Sequence, residues 1–258
     1  MHFLAIADTD LGIARATNQD SALVKHAIYD GSEILLAVLC DGMGGLSRGE
    51  VASATVVRAC SKWFEEELPF ELEKVNLRVI GEKWALLLKE LNARIGAAAK
   101  AGQEMGTTCT GLLLIGGQYV LVHVGDTRAY QLASGIRQLT TDQTFVAREV
   151  SRGTMTLAEA AVDRRQNMLL QCIGASPIVE PEILTGRVEP GAYLLCSDGF
   201  RHVISDREIY ESLNPVNLIN RDAMHSNVRY LIDEVKRRGE RDNISAILIK
   251  AEEGAALS

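Results

Sequence analysis

The stretch that most limits the fold is Ile34-Leu35-Leu36-Ala37-Val38-Leu39-Cys40, an apolar run that stops at Asp41-Gly42-Met43-Gly44-Gly45. A run of strand length with no polar position has no face to offer water, so it calls for a strand covered on both sides. The glycines after it turn the chain and expose backbone carbonyls beside a carboxylate, which suits an oxygen-coordinated cation. Three more aspartates stand at the ends of apolar runs, in Val124-Gly125-Asp126-Thr127, Cys196-Ser197-Asp198-Gly199 and Arg241-Asp242-Asn243-Ile244. A single aspartate in such a place is commonly a turn former. Four of them, at separate strand ends, predict convergence on divalent cations.

Periodicity fills in the rest. Strands are expected over Phe3 to Ala7, Ser21 to Tyr29 and Glu33 to Cys40, and the polar segment between the first two brings Arg15 and Asp20 to one locality. Ala52, Val56, Ala59 and Trp63 mark the inner face of a helix over Arg48 to Leu68. A second helical stretch runs from Pro69 to Lys100, with a break at Gly81, a stop at Gly102 and an inner stripe of Trp84, Leu87, Leu91, Ile95 and Ala98. Thr107 to Ile115 and Gln118 to Val124 read as a hairpin on Gly116-Gly117, and Arg128 to Ala133 with Ile136 to Leu139 as another around Ser134-Gly135. Asp142 to Gln171 is polar and weakly helical, a solvated insertion by its charge pattern. Further strands are expected at Glu182 to Val188, Tyr193 to Ser197 and Asn243 to Lys250. A helix over Arg221 to Arg238 turns Met224, Val228, Leu231 and Val235 inward. Hairpins in place of regular strand–helix alternation indicate an α+β layered fold.

At 258 residues the chain can bury a full core, and no composition shift divides it, so residues 1–251 are read as one domain and 252–258 as a flexible tail. The net charge of -7 argues against nucleic acid and anionic membranes as partners, since both attract a basic surface. No apolar run approaches the roughly 18 residues of a membrane span. The first residues lack the basic start of a signal peptide, and the expected location is the cytoplasm. Five cysteines, at 40, 60, 109, 172 and 196, include no C-x-x-C pair; they read as buried core residues. Strand alternation puts Cys196 on the same face as Asp198. His123 falls inside a strand and reads as a core residue. A G-x-S-x-G and a phosphate-binding loop are both absent, which argues against serine-hydrolase and nucleotide-loop chemistry.

Taken in order, Thr9-Asp10-x-Gly12-x-x-Arg15-x-x-Asn18-Gln19-Asp20-Ser21, Asp41-Gly42-Met43-Gly44-Gly45, Gly106-Thr107-Thr108, Val124 to Tyr130, Leu195 to Gly199 and Asp242-Asn243-Ile244 resemble the bacterial metal-dependent serine/threonine protein phosphatases of type 2C. One such block is weak; six in the family's order and spacing are specific, and they span roughly Ile6 to Ile249. The resemblance implies a four-layer α-β-β-α sandwich, two antiparallel sheets flanked by helices, with two metal ions at one end. It implies that Asp41 bridges both ions, that the Gly42 carbonyl binds one of them, and that Asp198 and Asp242 bind the other. Asp20 corresponds to the carboxylate that holds metal-bound water, Arg15 to the phosphate-binding arginine, and Asp126 to a ligand of a third ion. Residues 143–170 correspond to a flap beside the site.

The donor set agrees with that chemistry on its own terms. Carboxylates and a carbonyl select hard ions such as Mn²⁺ or Mg²⁺, and zinc-type His/Cys spacings are missing. Two such ions about 3.5–4 Å apart activate a bridging water for in-line attack on phosphorus, while Arg15 holds phosphate oxygens bidentately. Two departures from the family stand out: Met43 occupies the place of a histidine general acid in many eukaryotic members, which leaves the leaving group's proton to water, and Gln19 replaces a glutamate. The implied partners are phosphoprotein substrates and a serine/threonine kinase acting on the same proteins, with the chain a monomer. The competing reading is a catalytically silent phosphoprotein-binding module on the same fold, which loss of bridging or terminal ligands would signal.

Overall fold

A computed structural model describes residues 1–43, 48–99 and 104–254. The elements in chain order are β1 (His2–Asp10), β2 (Ser21–Tyr29), β3 (Ser32–Cys40), α1 (Gly49–Glu66), α2 (Leu68–Leu72), α3 (Leu77–Ala98), β4 (Cys109–Ile115), β5 (Gln118–Val124), β6 (Arg128–Leu132), β7 (Ile136–Gln138), α4 (Phe145–Ser151), α5 (Leu157–Ala160), β8 (Glu182–Arg187), β9 (Gly191–Cys196), α6 (Asp198–Arg201), α7 (Asp206–Leu213), α8 (Arg221–Arg237) and β10 (Ile244–Glu252). Two five-stranded antiparallel sheets result, one ordered β1-β10-β9-β6-β7 and the other β2-β3-β4-β5-β8.

β3 shows why the layers number four. Leu35, Ala37 and Leu39 point between the sheets, where they meet Phe3, Leu112, Tyr193 and Ile247. Ile34, Leu36, Val38 and Cys40 point the other way, under Val56, Trp63, Trp84 and Leu88 of α1 and α3. Each fully buried aliphatic or aromatic side chain contributes ~1.5–3 kcal/mol, so a polar residue anywhere from Ile34 to Cys40 would be costly. The opposite sheet is covered in the same way by α7 and α8, through Ile209, Met224, Val228 and Leu231 against Leu194 and Leu248. The α+β four-layer sandwich expected from the sequence is the architecture observed.

Several elements differ from their expected form. Gly81 does not break α3, because it lies where a Cβ would stand 2.6 Å from the Ile183 side chain, so its small size lets the helix pack on β8. The inner stripe of α3 runs Ile80, Trp84, Leu88, Leu91 and Ile95; Leu87 is half-buried and Ala98 exposed. Cys196 packs beneath α7 and α8 rather than beside Asp198, since the chain turns into α6 at Ser197. All five cysteines are buried and free, and His123 is buried between Thr110 Oγ1 (2.8 Å) and the Thr141 carbonyl (3.2 Å). Glu252, placed in the tail by the sequence reading, is paired with His2 at the end of β10; residues 255–258, like Gly44, Gly45 and Gly102, lie outside the described residues. No described helix is long and apolar enough to cross a membrane.

Candidate metal and phosphate site

The ends of β3, β5 and β9 and the start of β10 meet at one end of the sandwich, each delivering an aspartate just beyond its last or before its first strand residue. There a cavity of about 230 Å³ is lined by Arg15, Asp41, Asp126, Asp198 and Asp242, and completed by Met43, Thr108, Asn167 and Leu169. Five residues singled out from sequence are thereby brought together. Gly42 and Asp20 are not among the residues that line it.

Backbone hydrogen bonds hold this ring. The Asp41 amide donates to Thr108 Oγ1 (2.9 Å), and its carbonyl accepts from the Thr108 amide (2.9 Å) and Thr107 Oγ1 (2.9 Å). Gly42 donates to the Gln19 carbonyl (3.1 Å). Asn243 fixes the loop that bears Arg15 and Asp20: its Oδ1 accepts from the Gln19 amide (2.9 Å), and its Nδ2 donates to the carbonyls of Leu11 (3.0 Å) and Thr17 (3.3 Å). Gly12, at φ +76, makes that loop fit, because a Cβ there would stand 2.1 Å from the Asp242 carbonyl oxygen. Asn243 was legible as part of a motif, but its role as the loop's anchor was not.

Arg15 lies on the cavity wall as expected, yet its bidentate edge is engaged by protein. Nε donates to Asp242 Oδ1 (2.8 Å) and Nη2 to Oδ2 (2.7 Å), and Asp242 raises the guanidinium pKa further. The geometry here is a bidentate hold on the Asp242 carboxylate, a planar partner that matches the guanidinium fork. Asp126 shows no pairing with Arg128, which instead binds Asp142 through Nε and Nη2 (2.6 Å for the latter).

The remaining carboxylates are short of positive charge. Both oxygens of Asp20 and Oδ1 of Asp198 are buried and have no well-aligned hydrogen-bond donor, although the Ser245 and Ser197 hydroxyls lie close enough to Asp20 to favour its charged form. Burial, then the charges of Asp20, Asp198, Asp126 and Asp242, push Asp41 well above the usual carboxylate range. Burial pushes Asp20 up to about 7 against the Ser245 hydroxyl, with Asp198 adding to the rise, and burial and Asp198 do the same to Asp126, also to about 7. Four aspartates line the cavity against one arginine, itself paired. Among the described residues, no three His, Cys, Asp or Glu side chains stand close enough to enclose one ion by themselves. The aspartates ring a space instead of closing on a point, so ions there would complete their shells with water and carbonyl oxygen, as hard cations do. Unpartnered oxygens, surplus negative charge and an all-oxygen donor set fit divalent cations of that kind.

Asn167 and Leu169, which reach the cavity from beyond α5, were not singled out; in a charged, weakly periodic segment nothing marks which residues face inward. Asn167 and Asp126 also border a neighbouring chamber of about 540 Å³ beneath α4 and α5.

Residues 14–248 match the family model described as Protein phosphatase 2C. The serine/threonine protein phosphatase PstP of Mycobacterium tuberculosis (strain CDC 1551 / Oshkosh) is 33% identical over 248 residues, covering 94% of this chain and 44% of the relative, so the chain spans under half that protein's length. The serine/threonine phosphatase Stp1 from Staphylococcus aureus superposes with a TM-score of 0.83 at 30% identity, over 98% of this chain and 96% of that one. The catalytic domain of PstP in complex with 2 manganese ions superposes with a TM-score of 0.76 at 30% identity, over 97% of this chain and 99% of the domain.

Proposed function

The chain belongs to the protein phosphatase 2C family, and on that premise we propose that it is a serine/threonine protein phosphatase that hydrolyses phosphoserine and phosphothreonine in proteins with the help of Mn²⁺ or Mg²⁺. The observation that carries this reading is the ring of Asp41, Asp126, Asp198 and Asp242 around one cavity, with Asp198 Oδ1 in that ring buried and without a hydrogen-bond partner.

Asp41, with the Gly42 carbonyl, and the pair Asp198 and Asp242 would hold two ions; Asp126 would hold a third, and Asp20 would act through water. Bound there, the ions supply an acidified water as the nucleophile and offset charge on the attacking and leaving oxygens. The chain's own residues do the rest. Thr107 and Thr108 fix the Asp41 backbone, so its carboxylate does not have to be positioned during the reaction. Arg15 holds Asp242 through Nε and Nη2 and has Nη1 left to donate to a phosphate oxygen at the same wall. Met43 lines the cavity and carries no proton to give, so the leaving oxygen takes its proton from solvent. Asn167 and Leu169 also line the cavity and would limit how much water surrounds a phosphate held there.

The silent-module reading is disfavoured because every direct carboxylate ligand the family would use is present. A kinase that phosphorylates the same proteins is the partner such an activity calls for; we further propose that the chain acts as a monomer in the cytoplasm. The test is hydrolysis of a chromogenic aryl phosphate and a phosphothreonine peptide by metal-stripped protein, with and without Mn²⁺. Turnover that appears with Mn²⁺ and is abolished by chelator is expected. Full turnover in excess chelator would overturn the proposal.

A further inference from the structure

Asp198 and Asp242 come from parts of the chain far apart in sequence, and one ion shared between them needs both carboxylates held to within about 0.5 Å. Asp198 is poorly braced by its own element. It opens α6, a helix of four residues, and the preceding Ser197 makes no side-chain cap. His202, just past the end of α6, supplies what the helix lacks. Its amide donates to the Asp198 carbonyl (3.0 Å), its Nε2 stands 3.4 Å from Asp198 Oδ2, and its Nδ1 stands 3.3 Å from Glu240 Oε2.

Glu240 carries the connection to the other carboxylate. Its Oε1 accepts from the amides of Arg241 (2.7 Å) and Asp242 (2.9 Å), so the same side chain that faces the imidazole also fixes the backbone that bears Asp242. Glu240 is 8% exposed, and its position is therefore set by packing as well as by these bonds. Burial raises its pKa, but His202 and the two amides outweigh that and keep it below the usual range. On Asp198 the outcome is asymmetric: Oδ2 faces His202, while Oδ1 is buried without a donor and left for an ion.

We propose that His202 and Glu240 form a bracket that sets the spacing and aim of the Asp198 and Asp242 carboxylates, and so the affinity of the cation site they share. Neither residue lines the 230 Å³ cavity, so both are positioning residues and act through their neighbours. The inference rests on the metal-dependent phosphatase reading above. Outer partners of this kind are worth about 10–100-fold in metal affinity.

The experiment is calorimetric titration of Mn²⁺ into metal-stripped protein, with thermal melts of the same samples, for the wild type and for His202→Leu, His202→Gln and Glu240→Gln. His202→Leu keeps volume and removes the donor; it should weaken Mn²⁺ binding about tenfold or more without lowering the metal-free melting temperature. His202→Gln, whose amide can donate toward Asp198, should recover part of the loss. Glu240→Gln keeps an oxygen for the two amides but presents an NH₂ group to His202, and should fall between, which keeps the idea testable if the leucine variant does not fold. Wild-type affinity in His202→Leu and Glu240→Gln would overturn the bracket and leave the phosphatase reading intact. Equal loss in His202→Leu and His202→Gln, with lowered melting temperatures in both, would also overturn it by showing a packing role. No Mn²⁺ binding by the wild type would overturn the metal-dependent reading itself.

Discussion

Two groups of aspartates flank the same loop, and they behave in opposite ways. Asp8 and Asp10, at the end of β1, lie under α8: Asp10 accepts from Lys236 Nζ (2.9 Å), Arg229 Nη1 (3.1 Å) and the Gly12 amide (2.9 Å), while Asp8 is bonded by Arg229 and faced by His225 at 3.3 Å. Burial raises Asp10, but Lys236, Gly12 and Arg229 outweigh it and its pKa ends below the ordinary value. Just past the loop, Asp20, Asp41 and Asp126 are pushed upward by burial and by one another. The first group has cationic side chains of its own beside it, with Asp8 Oδ2 the one oxygen left without a hydrogen bond. The second has a cation deficit. Buried carboxylates are retained at such a cost where something else supplies the charge.

The largest test of this contrast exchanges one carboxylate for an amide in each group. Asp41→Asn should lower turnover at least about a hundredfold, about 2.7 kcal/mol of barrier, and leave the protein folded. Asp10→Asn should leave turnover near wild type but lower stability by about 1.5–3 kcal/mol, because bonds to charged donors are lost. Kinetics and denaturant melts of both decide it, and near-normal turnover in Asp41→Asn would end the two-ion account.

Arg15→Ala sharpens the same contrast by removing the cavity's one lining arginine. Phosphate contact is lost, so KM should rise roughly tenfold. Asp242 is freed at the same time, so the Mn²⁺ concentration for half-maximal activation should fall. A KM increase without that fall would mean the Arg15–Asp242 pair does not compete with the ion.

Asp126→Ala is expected to have a smaller effect, a few-fold loss of turnover with activation shifted to higher Mn²⁺. It also removes a buried charge that repels Asp198, so the metal-free melting temperature should hold or rise. A role in capping the turn before β6 predicts the reverse, a lower melting temperature with unchanged activation.

The smallest effect concerns pH. Asp20 and Asp126 titrate near about 7 in the fold, above the ordinary carboxylate value, so the folded state binds more protons than the unfolded one between about pH 4 and 7. Their contribution to stability is full below the unfolded pKa and is lost as pH rises through the folded one. Metal-free protein should melt lower at about pH 8 than at about pH 5 on their account, and Mn²⁺ should raise the melting temperature more at the higher pH. An equal Mn²⁺ shift at both would show that these carboxylates do not face the ions.

Much of this was legible in the sequence because strong patterns carried it. The β3 run, the α8 stripe and the strand-end aspartates each repeat one physical signal several times. Short elements do not. α7 was missed for lack of periods, although Ser205 and Glu208 form a capping box that announces its start. The Asp198–His202–Glu240 connection could not be read at all, since nothing in sequence says that residues 202 and 240 meet. The Arg15–Asp242 pair was missed for the same reason.

β10 lies between β1 and β9 in its sheet, with His2 opposite Glu252, and the residues just before it hold the Arg15 loop. During synthesis β1 emerges long before β10, the strand it pairs with, and keeps an open edge until β10 arrives. The Arg15 loop has no anchor in that interval, and one side of the cavity has no carboxylate. The wall that Asp242 contributes and the inner edge of β1 are therefore completed together, when β10 takes its place between β1 and β9.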